Sequence, residues 1–482
     1  MDDEHIVSIH DEIELHSRKV VRSIEAGEGS SGAGQHRPAT AMEEKIEMLK
    51  RAGAQPGAVQ ASKIQKVIFL LRDHKLVKYF EPRVASLGPM HHSNPKYQPG
   101  EMYKRRLAYE FVKEFNCNDG NTLQDDINCL YGKIKKEIKQ LRGCFVEEVT
   151  KDYDNEALAW MLFVDGCAIL QYIFCATKDK FKELNIKNDS VAFAQQDLFL
   201  LENQVPYRLL KLLMRYSGKE AELSESIECF IESVTYQPTN PQQKHEQRDP
   251  THLLDLLRTR LLGPPPPSQK AKPSSSTRPF THQEDPDWQT YRNVQELKAA
   301  GINLKRSKNN SYLRNISFTK QFGFGFYPGN LWLPPITVDD STGPKFMNLI
   351  AYEMCLDFDN DFGISSYLSF LDSLIDEAND VKYMRKAGVL HNFLGSDQHV
   401  ADLFNEIGTD LVPSAEAYKD VKFKIQKYYK SKWLTWMAQV RHDHFSSPWT
   451  IIAFLGVLLA LALTAVQAWF AVFPHSSDNG KK

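Results

Sequence analysis

Apolar residues in this chain recur with helical spacing over long stretches. Residues 101–116 and 123–147 both read as amphipathic helices, and in the second Ile134, Ile138 and Leu141 fall on one face. Ala157 to Ala176, ALAWMLFVDGCAILQYIFCA, is apolar on every side but carries Asp165 and Gly166 at its centre. A central aspartate opposes membrane insertion by ~2.5–3.5 kcal/mol, so a buried core helix is expected, with a hydrogen-bond donor inside the fold for Asp165. In Asp197 to Tyr207, DLFLLENQVPY, the leucines are expected to continue a helix that Pro206 ends as it opens the next.

Other stretches break this spacing. Ile6, Ile9, Ile13, Val20 and Ile24 share one face of a short N-terminal helix, and 27–42, rich in Gly and Ser, reads as a flexible linker. An apolar run covers Lys63 to Leu71, and Tyr79 to Val84 reads as extended. Residues 236–290 hold Pro238, Pro241, the run Pro264 to Pro267 and Ser274 to Ser276, a mobile insertion with one short helix near Leu253 to Leu262. Within 311–338 a small hairpin is expected: Ile316 to Phe318 and Phe324 to Tyr327 lead to a turn at Pro328-Gly329-Asn330, and Leu331 to Leu333 returns. Ser341 to Pro344 is a helix start; Asn392 to Gly395 is a break, after which Ser396 or Asp397 caps a helix holding Val400, Leu403 and Phe404.

The last long segment differs from all others. Trp449 to Phe473 is 25 residues without a formal charge. As a helix it spans about 37 Å, enough to cross a hydrocarbon core of ~30 Å with tilt. Trp449 and Trp469 sit near its ends, where amphipathic rings suit the headgroup region. Between Lys419 and His444 seven basic residues face two acidic ones, a balance of +5, and the tail 474–482 holds Lys481 and Lys482. That asymmetry predicts a single span, placed by expectation in the plasma membrane, with the body in the cytosol. The sequons at Asn188, Asn309 and Asn315 would be used only if the body faced the lumen.

The expected architecture is mainly α, one large helical domain with a small hairpin and a C-terminal transmembrane helix. Its parts are an extension 1–62, a body 63–446, a span 449–473 and a tail 474–482. Composition fits this. Of 482 residues 42% are hydrophobic and 25% charged, and 59 basic against 61 acidic residues leave a net charge of −2. Such a balance gives no overall pull toward nucleic acid, and no nucleic-acid partner is expected. The start Met1-Asp2-Asp3-Glu4-His5 lacks the basic and apolar regions of a secretory signal. Seven cysteines, none in C-x-x-C spacing, read as reduced thiols, with Cys167 and Cys175 in apolar surroundings.

Few residues suggest chemistry. Asp361-Phe362-Gly363 spells the kinase DFG triplet, without the Gly-rich, H-R-D and A-P-E segments that hold ATP and Mg²⁺. Asp357, Asp359 and Asp361 open like a calcium loop, but its sixth and twelfth places hold Phe362 and Leu368 instead of Gly and Glu. His91-His92 and His442-Asp443-His444 lack a third ligand at metal-site spacing, and Gly323-Phe324-Gly325 lacks the rest of a dinucleotide fingerprint. No catalytic, cofactor-binding or metal residue is therefore expected, and an enzyme would need an unrecognised site, such as the Asp357/Asp359/Asp361 group with the nearby hairpin.

Several segments in order resemble the plant domain-of-unknown-function 247 family: Val84 to His92 (VASLGPMHH), Asp197 to Tyr207, Leu331 to Asp339 with Phe346 to Glu353 (FMNLIAYE), Leu394 to Asp397 with Val400-Ala401, and Pro448-Trp449 opening the apolar tail. Ser93 stands where the family usually has Gly, and Met90 where Tyr is common. The resemblance implies a mostly helical body with a C-terminal membrane anchor and carries no catalytic residue. Some grass members act as pollen-side determinants of self-incompatibility, which implies a recognition role with a small secreted protein or another family member as partner. A structural adaptor docking through 236–290 in development or stress is the remaining expectation.

Overall fold

The computed structural model describes residues 62–72, 76–114, 122–236, 249–264, 293–307, 312–320, 328–358, 361–409, 411–414, 416–429 and 448–472, and positions 42, 45, 46 and 50. Contacts divide the chain into two compact units, Met1–Gln60 and Ala61–Lys482. In the first, Met42, Lys45, Ile46 and Lys50 are helical and exposed; the expected helix over 1–24 and all of the linker but Met42 lie outside the described residues.

The second unit is built around one helix. After α1 (Gln98–Glu114) and α2 (Leu123–Arg142), α3 (Asn155–Lys178) runs through the core and packs on both. Its N-terminus is fixed by Asp154, whose side chain accepts from the Ala157 N–H at 2.7 Å. Thr122 and Asp125 form a capping box at the start of α2. Ile134, Ile138 and Leu141 are buried, as their shared face requires. The helices α4 (Asn188–Asp197), α5 (Tyr207–Tyr216), α6 (Glu220–Thr235) and α7 (Leu253–Leu262) follow, with α5 and α6 also against α3. Helix α7 falls where a short helix was expected; the rest of 236–290, apart from Tyr236, 249–252 and 263–264, lies outside the described residues.

Two expectations for this half change. Leu198 to Leu201 do not prolong a helix: α4 ends at Asp197, the chain turns, and 203–206 runs extended into α5. The turn lets 197–204 use its polar side chains on neighbouring backbone, which a continuous helix would spread around its circumference. Tyr79 to Val84 is not simply extended either, since Val77–Tyr79 is a 3₁₀ turn whose Tyr79 is buried.

The strands cluster after α8 (Val294–Ala299). They are β1 (Ile302–Arg306), β2 (Ser317–Lys320), β3 (Gly329–Leu333) and β4 (Ile336–Val338). Where a hairpin was expected, strands β2 and β3 pair antiparallel, with Phe318 opposite Leu331; Phe324 to Tyr327, which were to lead into the turn, lie outside the described residues. The turn placed at 328–330 is displaced, because Gly329 and Asn330 belong to β3, where Gly329 aligns with Ile302 of a parallel β1. The sheet order is β1-β3-β2. Then come α9 (Thr342–Glu353), α10 (Gly363–Asp372), α11 (Ala378–Lys386) and β5 (Leu390–Asn392), which pairs in parallel with β4. Asn392, expected in a break, ends that strand. Ser396 caps α12 (Asp397–Gly408), its Oγ accepting from the His399 N–H at 3.1 Å. Finally come α13 (Lys419–Tyr429) and α14 (Pro448–Val472). One contiguous apolar cluster extends from Ile64 to Tyr428.

Candidate functional site

The polar groups that look most chemical are inside the fold. Asp165, at the middle of α3, is 1% exposed and accepts from Lys104 Nζ at 2.7 Å and from the Gly88 N–H at 2.8 Å. Lys104 also donates to the Ser86 carbonyl and pairs with Glu101 at 2.6 Å. Burial works against the Lys104 charge, but Asp165 and Glu101 outweigh it and hold the lysine above its ordinary pKa. The donor expected for Asp165 is thus a charged side chain from α1 and a backbone amide from 83–92.

That segment is held again from α4 and the turn after it. Asp197 accepts from the backbone N–H groups of Arg83, Val84 and Ala85 at 2.8, 2.8 and 2.9 Å. Burial pushes its carboxyl above the ordinary aspartate value, against those three donors. Asn203 accepts from the Leu87 N–H at 2.7 Å and donates to the carbonyls of Ala85 and Asp197. Glu202 accepts from the Val67 N–H at 2.7 Å and pairs with Arg72. Gln204 donates to the Leu198 and Leu200 carbonyls, which closes its own turn. Asn348 of α9 accepts from the Leu201 N–H at 2.8 Å and donates to the Tyr79 carbonyl at 2.7 Å. Residues 83–92, 197–207 and 346–353, remote in sequence, therefore meet in one buried junction whose side chains satisfy irregular backbone that would otherwise lack partners.

Glu353 ends α9 with a second junction. It accepts from the N–H groups of Ile364 and Ser365 at 2.8 and 2.9 Å, so it caps α10, and from Arg258 Nε at 2.8 Å. Arg258 reaches on to Asp361, 3.2 Å away, which Arg314 also holds at 2.6 Å. Together the two arginines keep the Asp361 carboxyl below its ordinary value despite burial. The DFG triplet thus has a structural role here: Asp361 is an ion-pair partner and Gly363 opens α10, where a Cβ would lie 2.8 Å from Leu262 Cδ1.

The calcium-loop acids do not converge. Asp357 accepts from the Lys63 N–H at 2.6 Å and from Gln65 Nε2 at 2.5 Å, while Asp361 faces the arginines; Asp359 lies outside the described residues. Among the described residues no group of three or more His, Cys, Asp or Glu is placed to hold a metal. His91 stands edge-on to Tyr97 with Nε2 3.6 Å from Glu202, and burial pushes it below the ordinary histidine pKa. His92 stands edge-on to Tyr153. His442, Asp443, His444 and the Gly323 to Gly325 fragment lie outside the described residues, as do Asn309 and Cys117. Asn188 is exposed at the start of α4, and Asn315 is half-buried. Cys167, Cys175 and Cys355 are buried, and Cys129 and Cys229 exposed, all as free thiols. Sequence reasoning missed Asp197, Asn203, Asn348 and Glu353 as junction residues. Asn348 and Glu353 carried one signal, a polar side chain inside an otherwise apolar run; Asp197 and Asn203 stand among other polar residues and carried none.

Two helices are long and apolar enough to cross a bilayer. In α3, 89% of the apolar window is buried against other elements; in Ile452–Trp469 of α14 the value is 0%. A long helix apolar all round and covered by none of the described residues is suited to lipid. The tail 474–482 and the basic residues of 430–447 lie outside the described residues; Lys419, Lys422, Lys424 and Lys427 are on α13.

These features define a class: a mainly helical protein knit by buried polar junctions and ending in an apolar helix. The match that places it is to the model of the DUF247 family, a plant protein of unknown function, which covers residues 64–463. The chain belongs to this family. It is similar to UPF0481 protein At3g47200 of Arabidopsis thaliana, 28% identical over 430 residues that cover 83% of this chain and 84% of that protein. A second UPF0481 protein of the same plant, At3g02645, is 20% identical over 482 residues, covering 82% and 87%. No solved structure matches significantly.

Proposed function

We propose that this protein is a membrane-anchored interaction protein that acts by binding other proteins and not by catalysis. The observation that carries the reading is α14: 25 residues, uncharged, and exposed over Ile452–Trp469 while the other long apolar helix is buried. The anchor would sit in the plasma membrane with the body on the cytosolic side, as the basic stretch before it supports. The absence of a catalytic role is supported by the way Asp165, Lys104, Asp197, Glu202 and Glu353 are committed to backbone amides or to one another. Groups held in this way stabilise the scaffold. The specific form suggested by the family resemblance is recognition like that of grass self-incompatibility determinants, with a small secreted protein or another family member as partner.

Carbonate extraction of membranes followed by protease protection tests this. The expected result is a carbonate-resistant chain whose body is digested from the cytosolic side and whose Asn188 and Asn315 are unglycosylated. Full release by carbonate would remove the anchor, and glycosylated Asn188 or Asn315 would reverse the orientation. Affinity purification in mild detergent that recovers no specific protein partner would count against the interaction role.

A further inference from the structure

The C-terminal end of α6, the end of β1, the β4–β5 pair and the first turn of α9 enclose a cavity of about 220 Å³. Its apolar wall includes Leu261, Leu313, Ile336 and Phe346. Its polar lining includes Arg306, Lys345, His391 and Thr337, and among the described residues no carboxylate lines it. Thr337 and His391 are register partners in the parallel β4–β5 pair, so their side chains share a face of that sheet. Arg306 ends β1 opposite Leu333, two residues before the cavity-lining Pro335. Three basic side chains from three elements therefore line one small space.

Lys345 is the informative member. It stands in the first turn of α9, where the helix dipole disfavours a cation and favours an anion. Its ammonium makes one long hydrogen bond, 3.4 Å, to the Val234 carbonyl. Desolvation pushes its pKa below the ordinary lysine value, and the charge of Asp339 opposes this. The two charges attract, while Oδ1 of Asp339 accepts from Ser341 N at 2.9 Å, Ser341 Oγ at 2.6 Å and Thr342 Oγ1 at 3.1 Å. Lys345 is thus a half-buried cation in the first turn of a helix, offset by Asp339 and facing a cavity that Arg306 and His391 also line. An anion entering the cavity would offset that charge further.

We propose that this cavity binds a small organic anion, its carboxylate or phosphate group held by Lys345 and Arg306 and its apolar portion lying against Leu313 and Phe346. The size limits the ligand, since drug-sized pockets run from about 300 Å³ upward. The site lies away from the anchor and uses none of the side chains that make the junction hydrogen bonds, so it stands whether or not the interaction role holds.

The test is calorimetric titration of the detergent-solubilised full chain with benzoate, phenyl phosphate and neutral benzamide at fixed ionic strength. Either anion should bind saturably, and benzamide at least about tenfold more weakly, as loss of a charge-assisted hydrogen bond predicts. A preference between the two anions identifies the group that the site takes. Lys345→Met should weaken the better anion about tenfold or more. Arg306→Gln, at an exposed position, should weaken it severalfold with an unchanged ligand-free melting temperature, and it decides the matter if Lys345→Met does not fold. Benzamide binding as tightly as benzoate, wild-type affinity in Arg306→Gln, or no saturable binding of either anion would each overturn the proposal.

Discussion

Nζ of Lys104 on α1 lies 2.7 Å from Oδ1 of Asp165 on α3, and both side chains are buried. The pair joins two packed helices at the one charged position in the apolar stretch Ala157 to Ala176 of α3. Removing Lys104 leaves the buried Asp165 carboxylate without its counter-charge, at about 3–5 kcal/mol, whereas removing Asp165 leaves Lys104 paired with Glu101. Lys104→Met should destabilise the chain by that much in urea unfolding and Asp165→Leu by less, and the double variant should lose clearly less than the sum of the two. Additive losses would show that the two side chains are not coupled.

Gly88 offers a cleaner geometric test. Its φ is +67°, and a Cβ there would lie 2.5 Å from the Gln204 carbonyl oxygen. Gly218 has φ +69° with nothing within 4 Å. Gly218→Ala should therefore cost about 1–2 kcal/mol, the penalty of a left-handed residue alone. Gly88→Ala should cost clearly more, because it also displaces the turn that holds the Asp165 contact. Equal shifts in melting temperature would mean that the 197–204 turn yields freely.

Asp361 predicts a pH dependence. Its folded pKa lies below the unfolded value of 3.8 through Arg314 and Arg258. Stability from the pair is therefore present above about pH 4 and is lost as pH falls through the folded value. The carboxylate is 44% exposed, so solvent screening limits the effect to about 1 kcal/mol. Asp361→Asn should melt lower than the wild type at pH 7, and the difference should shrink as pH drops below 4. A difference that stays constant down to pH 2 would assign the effect to packing.

The two long apolar helices should respond oppositely to charge. Leu461→Arg places a cation near the centre of α14, where insertion costs ~2.5–3.5 kcal/mol. Its carbonate-resistant fraction should fall without a change in the melting of the body. Lys104→Met should lower the melting temperature and leave membrane association intact. Membrane loss on altering α1 or α3 would contradict the assignment of α3 to the core.

The contrast between Asp165 and Asp361 shows what was readable in advance. An aspartate inside a 20-residue apolar run announces a buried carboxylate that needs a donor, because burial without one is prohibitive. Nothing in the run says that the donors are Lys104 and the Gly88 N–H, 61 and 77 residues away. Asp361 sat in a triplet that suggested phosphate chemistry and among acids that suggested calcium, and its partners Arg258 and Arg314 lie 103 and 47 positions off in sequence. The hairpin shows the same limit: β-like residues around a turn signal announced strands in 311–338, whereas Gly329 was assigned to the turn and lies in β3, beside a parallel β1.

Helical spacing and cap residues act within a few positions, so α1, α2, α3, α7, α12 and α14 could be located from the residues alone. Uninterrupted apolarity likewise marked α14 as a helix for lipid. Pairing of buried polar groups acts between positions that only chain folding brings together. Which amides Asp197 holds, which helix Glu353 caps and which basic groups share the cavity beside Lys345 follow from the packed arrangement. Hydrogen bonds and ion pairs require contact at about 3 Å, a condition that no local pattern encodes.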